Sequence, residues 1–244
     1  MLIHKIKKED YLLSDIYSLI NKGDIVVIES FFQGQPLEDI KKYLSNVIKS
    51  SIPNYEKLNL GCKNFYMLNC SDQRSIVKTF SAQFNFFPWN NDPLDLFNKF
   101  DILFKIRDLT IKKDHLSLIS IDNELIKRLS IQFYPSGSGF MQSHSDPIGD
   151  HQLGVVNVVL SKYKTDYQTG GLFFQSNTNS EKIYPEHNCN IGDVLIFNGS
   201  LIHGVDLIDE GLPLNIFSGR GRWMLMSAIT KSPSNKNIPN AKTY

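Results

Sequence analysis

The sequence predicts a mainly β fold of the α+β class, with helices in the first half of the chain flanking a β-sandwich or barrel in the second half. Between residues 129 and 229, short runs rich in β-branched and aromatic residues alternate with Gly, Pro, Asn and Asp. Two upstream segments instead have apolar residues at the three- and four-residue spacing of an amphipathic helix. The hydrophobic fraction of 41% is that of an ordinary globular protein, so a sizeable core is expected.

Three elements are predicted in the first half. Residues 25–32, IVVIESFF, have the composition of a strand. A helix should follow, because Pro36 suits a first-turn position and the next apolar residues share one helical face: Leu37, Ile40, Leu44, Val47 and Ile48. A second helix is predicted over 92–107, where Asp-Pro provides a cap and a first-turn proline. Residues 50–90 mix polar residues with aromatic clusters and permit no assignment.

The second half contains seven β-type runs: LSIQFY (129–134), GFMQSHSD (139–146), GVVNVVL (154–160), GGLFFQ (170–175), DVLIF (193–197), LIHGV (201–205) and RWMLMSAI (222–229). No linker interrupts them, so residues 1–230 are predicted to form one domain, with 1–128 as a flanking part and 129–230 as the β core. The polar residues 231–244 are predicted to form a flexible tail. The glycine-rich PSGSGF lacks the Lys-Ser/Thr ending of a phosphate loop, so a hairpin turn is predicted there.

Composition disfavours several classes of partner. Lys plus Arg (26) nearly balances Asp plus Glu (25), so no long-range field would attract nucleic acid. Three scattered cysteines indicate neither a disulfide framework nor a zinc site, and a reducing cytoplasm is the expected compartment. The N-terminus lacks an uninterrupted apolar segment, and no run of ~18 uncharged apolar residues occurs, so neither secretion nor a membrane span is expected. The oligomeric state is left open.

A candidate metal site lies in two of the β-type runs. On a strand, alternate residues share a face, so Gln142, His144 and Asp146 are expected to point the same way. His203 would return to the same place if the strands close into a barrel. Two histidines and one carboxylate form a facial set that suits Fe(II) and leaves three coordination positions open. A single His-x-Asp pair is a weak signal by itself, because an isolated histidine is more often a loop or core residue.

The region 129–229 resembles the iron(II)/2-oxoglutarate-dependent dioxygenases, particularly their prolyl 4-hydroxylase-like branch. The resemblance rests on the order and spacing of five motifs: IQFYPSG, HSD, TGGLFF, GDVLIFNGSLIHGV and GRWMLMSAI. It implies a double-stranded β-helix, which is the jelly-roll barrel of the cupins, and it implies Fe(II), 2-oxoglutarate and O₂ as cofactor and cosubstrates. The implied iron ligands are His144, Asp146 and His203.

The resemblance also implies how 2-oxoglutarate is bound. The cosubstrate chelates iron through its 1-carboxylate and 2-keto oxygens, so its 5-carboxylate needs a cationic anchor. Arg222 opens the strand where the family places this cation, and Arg220 is the alternative because both residues follow glycines. Tyr134 is either a second donor to the cosubstrate or a packed tyrosine at the barrel rim. Asn157 interrupts an apolar strand and either contacts a ligand or bonds to the backbone.

The implied reaction is oxidation of an unactivated C–H bond with release of succinate and CO₂. Asp146 favours hydroxylation, because halogenating relatives carry Gly or Ala at this position. The nearby Asp150 and His151 are predicted to lie in a rim loop. A small molecule such as an amino acid or derived metabolite is the predicted substrate, and a peptidyl (prolyl-type) hydroxylase is the first alternative. A nucleic-acid demethylase and a zinc hydrolase are less favoured, and a non-catalytic, cupin-like metal-binding protein is the alternative from a different class.

Overall fold

A computed structural model describes residues 1–71, 75–111, 125–149, 152–178, 180–231 and 241–244. The helices are α1 (Ile16–Asn21), α2 (Gly34–Ser50), α3 (Leu96–Phe100) and α4 (Ile102–Leu109). The strands are β1 (Ile3–Lys7), β2 (Ile25–Glu29), β3 (Phe65–Cys70), β4 (Thr79–Phe86), β5 (Leu125–Pro135), β6 (Phe140–Ser145), β7 (Gly154–Val159), β8 (Gly171–Gln175), β9 (Val194–Asn198), β10 (Ile202–Asp206), β11 (Gly221–Lys231) and β12 (Lys242–Thr243). Across these stretches, no helix is long and apolar enough to cross a membrane.

The strands form a curled sheet in the order β1-β2-β9-β7-β11-β5-β4-β6-β10-β8. Strand β4 bonds to β5 along most of its length and to β6 at its start, so it joins two sections of the sheet. The section β9-β7-β11-β5 packs its inner face against the section β6-β10-β8. This arrangement is the predicted double-stranded β-helix, and both the mainly β class and the flanking N-terminal helices are confirmed.

Strand periodicity divides the side chains of β5 between two cores. Leu129, Ile131 and Phe133 face the helices, where they pack with apolar residues of α2, α3 and α4. Ser130 and Tyr134 alternate with these residues and point into the barrel, as does Gln132. The same alternation in β11 sends Trp223 and Leu225 to the helix side and Arg222, Met224 and Met226 to the interior. Ser130, Gln132 and Tyr134 therefore share the interior face of β5.

Two parts of the first half differ from the sequence expectation. The predicted helix over 92–107 is two helices, α3 and α4, which are separated at Asp101. The unassigned segment 50–90 contains β3 and β4. Asn69, Gln83 and Asn85 point into the barrel, so both faces of these strands are shielded from solvent to different degrees. The alternation of apolar and polar residues by which a strand is recognised in a sequence is therefore weak here.

The chain end adds a short strand next to β6. Lys242 pairs with Ser145 and Thr243 with His144, and the Tyr244 N–H donates to the carbonyl of Ser143 over 3.0 Å. These residues belong to the segment predicted as a flexible tail, but here they are paired. The rest of that segment, 232–240, lies outside the described residues.

Gly221 is required at the start of β11, because its φ of +140° is accessible to few side chains. A Cβ there would lie 2.2 Å from the carbonyl oxygen of Tyr134 and 2.9 Å from the amide nitrogen of Ser136. Gly221→Ala is therefore expected to lower the free energy of unfolding by about 2–4 kcal/mol in a urea titration. Gly34→Ala is the control, since a Cβ at Gly34 has open space. Equal stability of the two variants would contradict this assignment.

Candidate metal centre

His144 and His203 face each other across the antiparallel pair β6 and β10, with ring centroids 4.3 Å apart. Asp146 follows directly after the end of β6, and its amide N–H donates to the carbonyl of Gly199 over 2.8 Å. Each histidine Nε2 lies 3.7 Å from one oxygen of the Asp146 carboxylate. The three candidate ligand atoms lie within 4.8 Å of one another, so one ion could contact all of them.

Backbone carbonyls fix the orientation of both histidine rings. Nδ1 of His144 lies 2.9 Å from the carbonyl oxygen of Gln142, and Nδ1 of His203 lies 2.8 Å from that of Leu201. Because a carbonyl only accepts, each Nδ1 carries the proton and each Nε2 presents its lone pair towards Asp146. Burial, and then the nearby His144, lower the pKa of His203 to about 4, so its ring is neutral at pH 7. A neutral imidazole is the form that binds a metal.

An irregularity in β6 directs His144 into the barrel. His144 pairs with His203 but Met141 pairs with Val205, so β6 has one more residue than β10 in this interval. The expectation that Gln142 shares the face of His144 is therefore wrong. The Gln142 side chain instead accepts the Lys78 N–H over 3.2 Å. Regular alternation cannot predict a bulge, which shifts the register by one residue.

Arg222 is buried in the barrel at the start of β11, directly opposite Tyr134 on β5. Its Nε lies 2.9 Å from each oxygen of the Glu186 carboxylate, and its Nη2 lies 2.7 Å from Oε2. Nη1 of Arg222 is buried and has no hydrogen-bond partner among the described residues. Arg220 is exposed. Of the two arginines considered from the sequence, only Arg222 thus presents its guanidinium to the barrel interior.

Three solved structures of enzymes are similar to this chain in fold. A prolyl-4-hydroxylase from Pseudomonas putida has a TM-score of 0.52 at 12% identity, covering 88% of this chain and 98% of that one. A Trichoplax adhaerens prolyl hydroxylase, in complex with a hypoxia inducible factor peptide fragment, has a TM-score of 0.51 at 15% identity, with 90% of each chain covered. The non-heme α-ketoglutarate-dependent epimerase SnoN from nogalamycin biosynthesis has a TM-score of 0.53 at 8% identity, with 93% and 87% covered.

This chain has the 2-oxoglutarate oxygenase fold. No protein-family model matches it, and no curated protein matches it in sequence. The comparison with known proteins therefore rests on structural similarity alone. Within this oxygenase fold, the candidate triad has the donor set, two imidazole nitrogens and a carboxylate, that suits a divalent iron with open coordination positions.

Two further candidate residues, Tyr134 and Asn157, line the barrel interior. The Tyr134 hydroxyl donates to Oε1 of Gln132, and its ring centroid lies 5.2 Å from Cζ of Arg222. Burial raises the pKa of Tyr134 to about 12, so the phenol keeps its proton and remains a donor. Asn157 is buried and its Oδ1 has no partner. Buried polar atoms are rarely left unpaired, so the interior atoms of Asn157 and Arg222 are consistent with a polar ligand inside the barrel of this oxygenase fold.

Other histidines near the triad were considered from the sequence. His151, with Asp150, lies outside the described residues. His187 stacks between Tyr163 and Tyr184, with ring centroids 3.6 and 4.7 Å away, and its Nε2 bonds to the carbonyl of Gly170. Its contacts are those of a packed loop residue.

Glu186 is the site residue that sequence reasoning missed. It lies in a short 3-10 turn, Pro185–Asn188, and is almost fully buried. It also accepts the Tyr167 hydroxyl over 3.2 Å. The only sequence signal was an acidic residue just after a proline, and nothing in that signal indicates a partner 36 residues away on β11.

Proposed function

We propose that this protein is an Fe(II)- and 2-oxoglutarate-dependent dioxygenase that hydroxylates an unactivated C–H bond of a small molecule, releasing succinate and CO₂. The observation that carries the proposal is the triad of His144, Asp146 and His203. Both Nε2 lone pairs are directed at the same carboxylate, and both rings are held by Nδ1–H bonds to backbone carbonyls. Such outer-shell bonds are typical of metal ligands.

Different residues would bind at the two ends of the cosubstrate. His144, Asp146 and His203 would hold the iron, which with O₂ supplies the oxidation of the C–H bond. The Arg222 Nη1–H would bind the 5-carboxylate, and the Tyr134 hydroxyl would join it by turning its one proton away from Gln132. The unpaired Oδ1 of Asn157 would accept a hydrogen bond from the ligand or from water. The rings of Phe174 and Phe197 pack against the imidazole of His203, so its surroundings on that side are apolar.

The chain end supports a small-molecule substrate. An extended peptide commonly binds by adding a strand to a free sheet edge. The edge of β6 beside His144 is already paired with Lys242 and Thr243. A peptidyl hydroxylase is the second candidate, because one structure of similar fold is a prolyl hydroxylase in complex with a peptide fragment.

The unpaired interior atoms of Arg222 and Asn157 support an enzyme over a cupin-like protein that only binds metal. A protein of the latter kind has no need for an unpaired guanidinium N–H inside the barrel. Anchoring a cosubstrate is a function that the Arg222 Nη1–H would serve.

The proposal is tested by anaerobic absorbance of the Fe(II)-loaded protein before and after adding 2-oxoglutarate. We expect the weak visible charge-transfer band of the iron chelate to appear, and succinate to form after O₂ is admitted. Iron content per chain is measured in the same samples. Bound iron with no band and no succinate would contradict an oxygenase and favour a metal-binding protein without catalysis.

A further inference from the structure

A row of polar side chains extends the interior face of the barrel across β3, β4 and β5. The facing positions follow from the strand register, in which Asn85 pairs with Ser130, Gln83 with Gln132, and Asn69 with Ser81. All of these alternate with residues of the helix-side core. Arg128 occupies the next interior position of β5, two residues before Ser130.

Hydrogen bonds link these side chains, and their donors converge on Asn85. Gln83 donates through Nε2 to Oδ1 of Asn85 over 3.3 Å and to the Ser130 hydroxyl over 3.0 Å. Arg128 also donates to Oδ1 of Asn85, through Nη1. Because two donors converge on one atom of the amide, that atom is the oxygen. Nδ2 of Asn85 then remains a buried donor without an acceptor in the described part of the chain, and the side chain is 1% exposed.

Arg128 has no carboxylate partner among the residues that the structure describes. Its side chain bonds only to Oδ1 of Asn85 and, over 3.3 Å, to the hydroxyl of Thr230. In the described part of the chain, no Asp or Glu forms an ion pair with it, whereas its neighbour Lys127 pairs with Asp101. Desolvation lowers the pKa of Arg128 to about 10. Arg128 is partly buried, and a partly desolvated cation that has no opposite charge beside it in the described residues favours an anionic ligand.

The strand register places Arg128 near the metal centre. Arg128 pairs with Ala228 of β11. On its other side β11 pairs Ser227 with Val156, so the next position in that register is Val155 of β7. A Cβ built on Gly199 would lie 3.6 Å from Val155 and 3.2 Å from Cβ of Asp146. Two interstrand spacings, roughly 10 Å of backbone, thus separate Arg128 from Val155, and Gly199 lies between Val155 and Asp146.

We infer that Arg128 and Asn85 bind a carboxylate of the primary substrate, which is therefore a small carboxylic acid such as an amino acid or a derivative with a free carboxylate. This inference rests on the proposed function. The guanidinium of Arg128 supplies the charge and the free Nδ2–H of Asn85 supplies a second donor. The substrate then extends from this subsite to the metal.

A purely structural role for Arg128 accounts for fewer of these observations than carboxylate binding does. Linking Asn85 to Thr230 needs hydrogen-bond donors but no net charge. It also leaves Nδ2 of Asn85 unpaired. A bound carboxylate satisfies both groups at once, because it is an acceptor with an opposite charge.

The inference is tested by calorimetric titration of the anaerobic protein, loaded with Fe(II) and 2-oxoglutarate, with two matched probes. N-acetylglycine carries the carboxylate and N-acetylglycinamide is its neutral counterpart. We expect the acid to bind the wild-type protein about tenfold or more tighter than the amide. Arg128→Gln should remove this preference. Asn85→Asp, which supplies Arg128 with an internal carboxylate at nearly unchanged volume, should also remove it.

Lys42→Gln is the control, because Lys42 is an exposed cation on α2 whose loss should leave the preference unchanged. Equal affinity for acid and amide, or no detectable binding of the acid to the wild type, overturns the carboxylate subsite. So does a preference that persists in Arg128→Gln. The absorbance band on adding 2-oxoglutarate is recorded separately, so a protein that forms the band but does not distinguish the probes refutes only the subsite. If no band forms, the proposed function fails, and the metal-loaded protein is titrated alone to judge Arg128.

Discussion

His203→Ala is expected to reduce O₂-dependent succinate formation by about 1000-fold or more, because the triad would lose one of its three metal ligands. No other described histidine, cysteine or carboxylate can replace it, since the only metal-suited group in the described residues is the triad itself. The iron content of the purified protein should fall together with activity. The measurement is iron per chain and succinate released from 2-oxoglutarate, on protein whose folding has been checked by circular dichroism.

His4→Ala is the matched control. His4 lies in β1, and its Nε2 is 3.0 Å from the carboxylate of Asp24. This variant should keep iron and activity. If His203→Ala retained full iron and full succinate formation, the assignment of the triad would be wrong, whatever the fold.

Much of the β core could be predicted because its strands have strong local signals. Each run between residues 129 and 229 is apolar on at least one face and is bounded by turn residues, and all seven runs form strands. The choice between Arg222 and Arg220 was open from sequence. It depends on the pairing of Arg222 with Tyr134, which is a property of two strands.

The polar contacts inside the barrel could not be predicted for a different reason. The partners of Arg128 and Arg222 come from distant parts of the chain: Asn85 is 43 residues from Arg128, and Glu186 is 36 residues from Arg222. Local patterns describe which face a residue occupies but not which residue faces it. An interior polar row on β3 and β4 also weakens the apolar alternation by which strands are recognised.

The buried pair of Arg222 and Glu186 is expected to have separable effects on stability and on cosubstrate binding. The two side chains are 1% and 2% exposed, and they make three contacts of 2.7–2.9 Å. Removing one partner leaves the other as an uncompensated buried charge. We therefore expect Glu186→Leu and Arg222→Met each to lower the free energy of unfolding by about 3–5 kcal/mol, measured by urea titration of the metal-free protein.

The double variant Glu186→Leu/Arg222→Met distinguishes the two roles. Replacing a buried ion pair by apolar residues of similar volume is often neutral, so most of the lost stability should return. Binding of 2-oxoglutarate should not return, because the Nη1–H that would bind the 5-carboxylate is gone. Titration of the charge-transfer band should show an affinity lower by roughly 100-fold, which is about 2.7 kcal/mol of lost binding.

A double variant that regains both stability and wild-type affinity for 2-oxoglutarate would show that Arg222 only balances Glu186 within the fold. The cosubstrate carboxylate would then need another cation, and exposed Arg220 would be the first to replace. Restored stability with weak binding would instead show that Arg222 binds the cosubstrate in addition to balancing the charge of Glu186. Three contacts to Glu186 occupy Nε and Nη2, so the guanidinium is held with only Nη1 free for the cosubstrate.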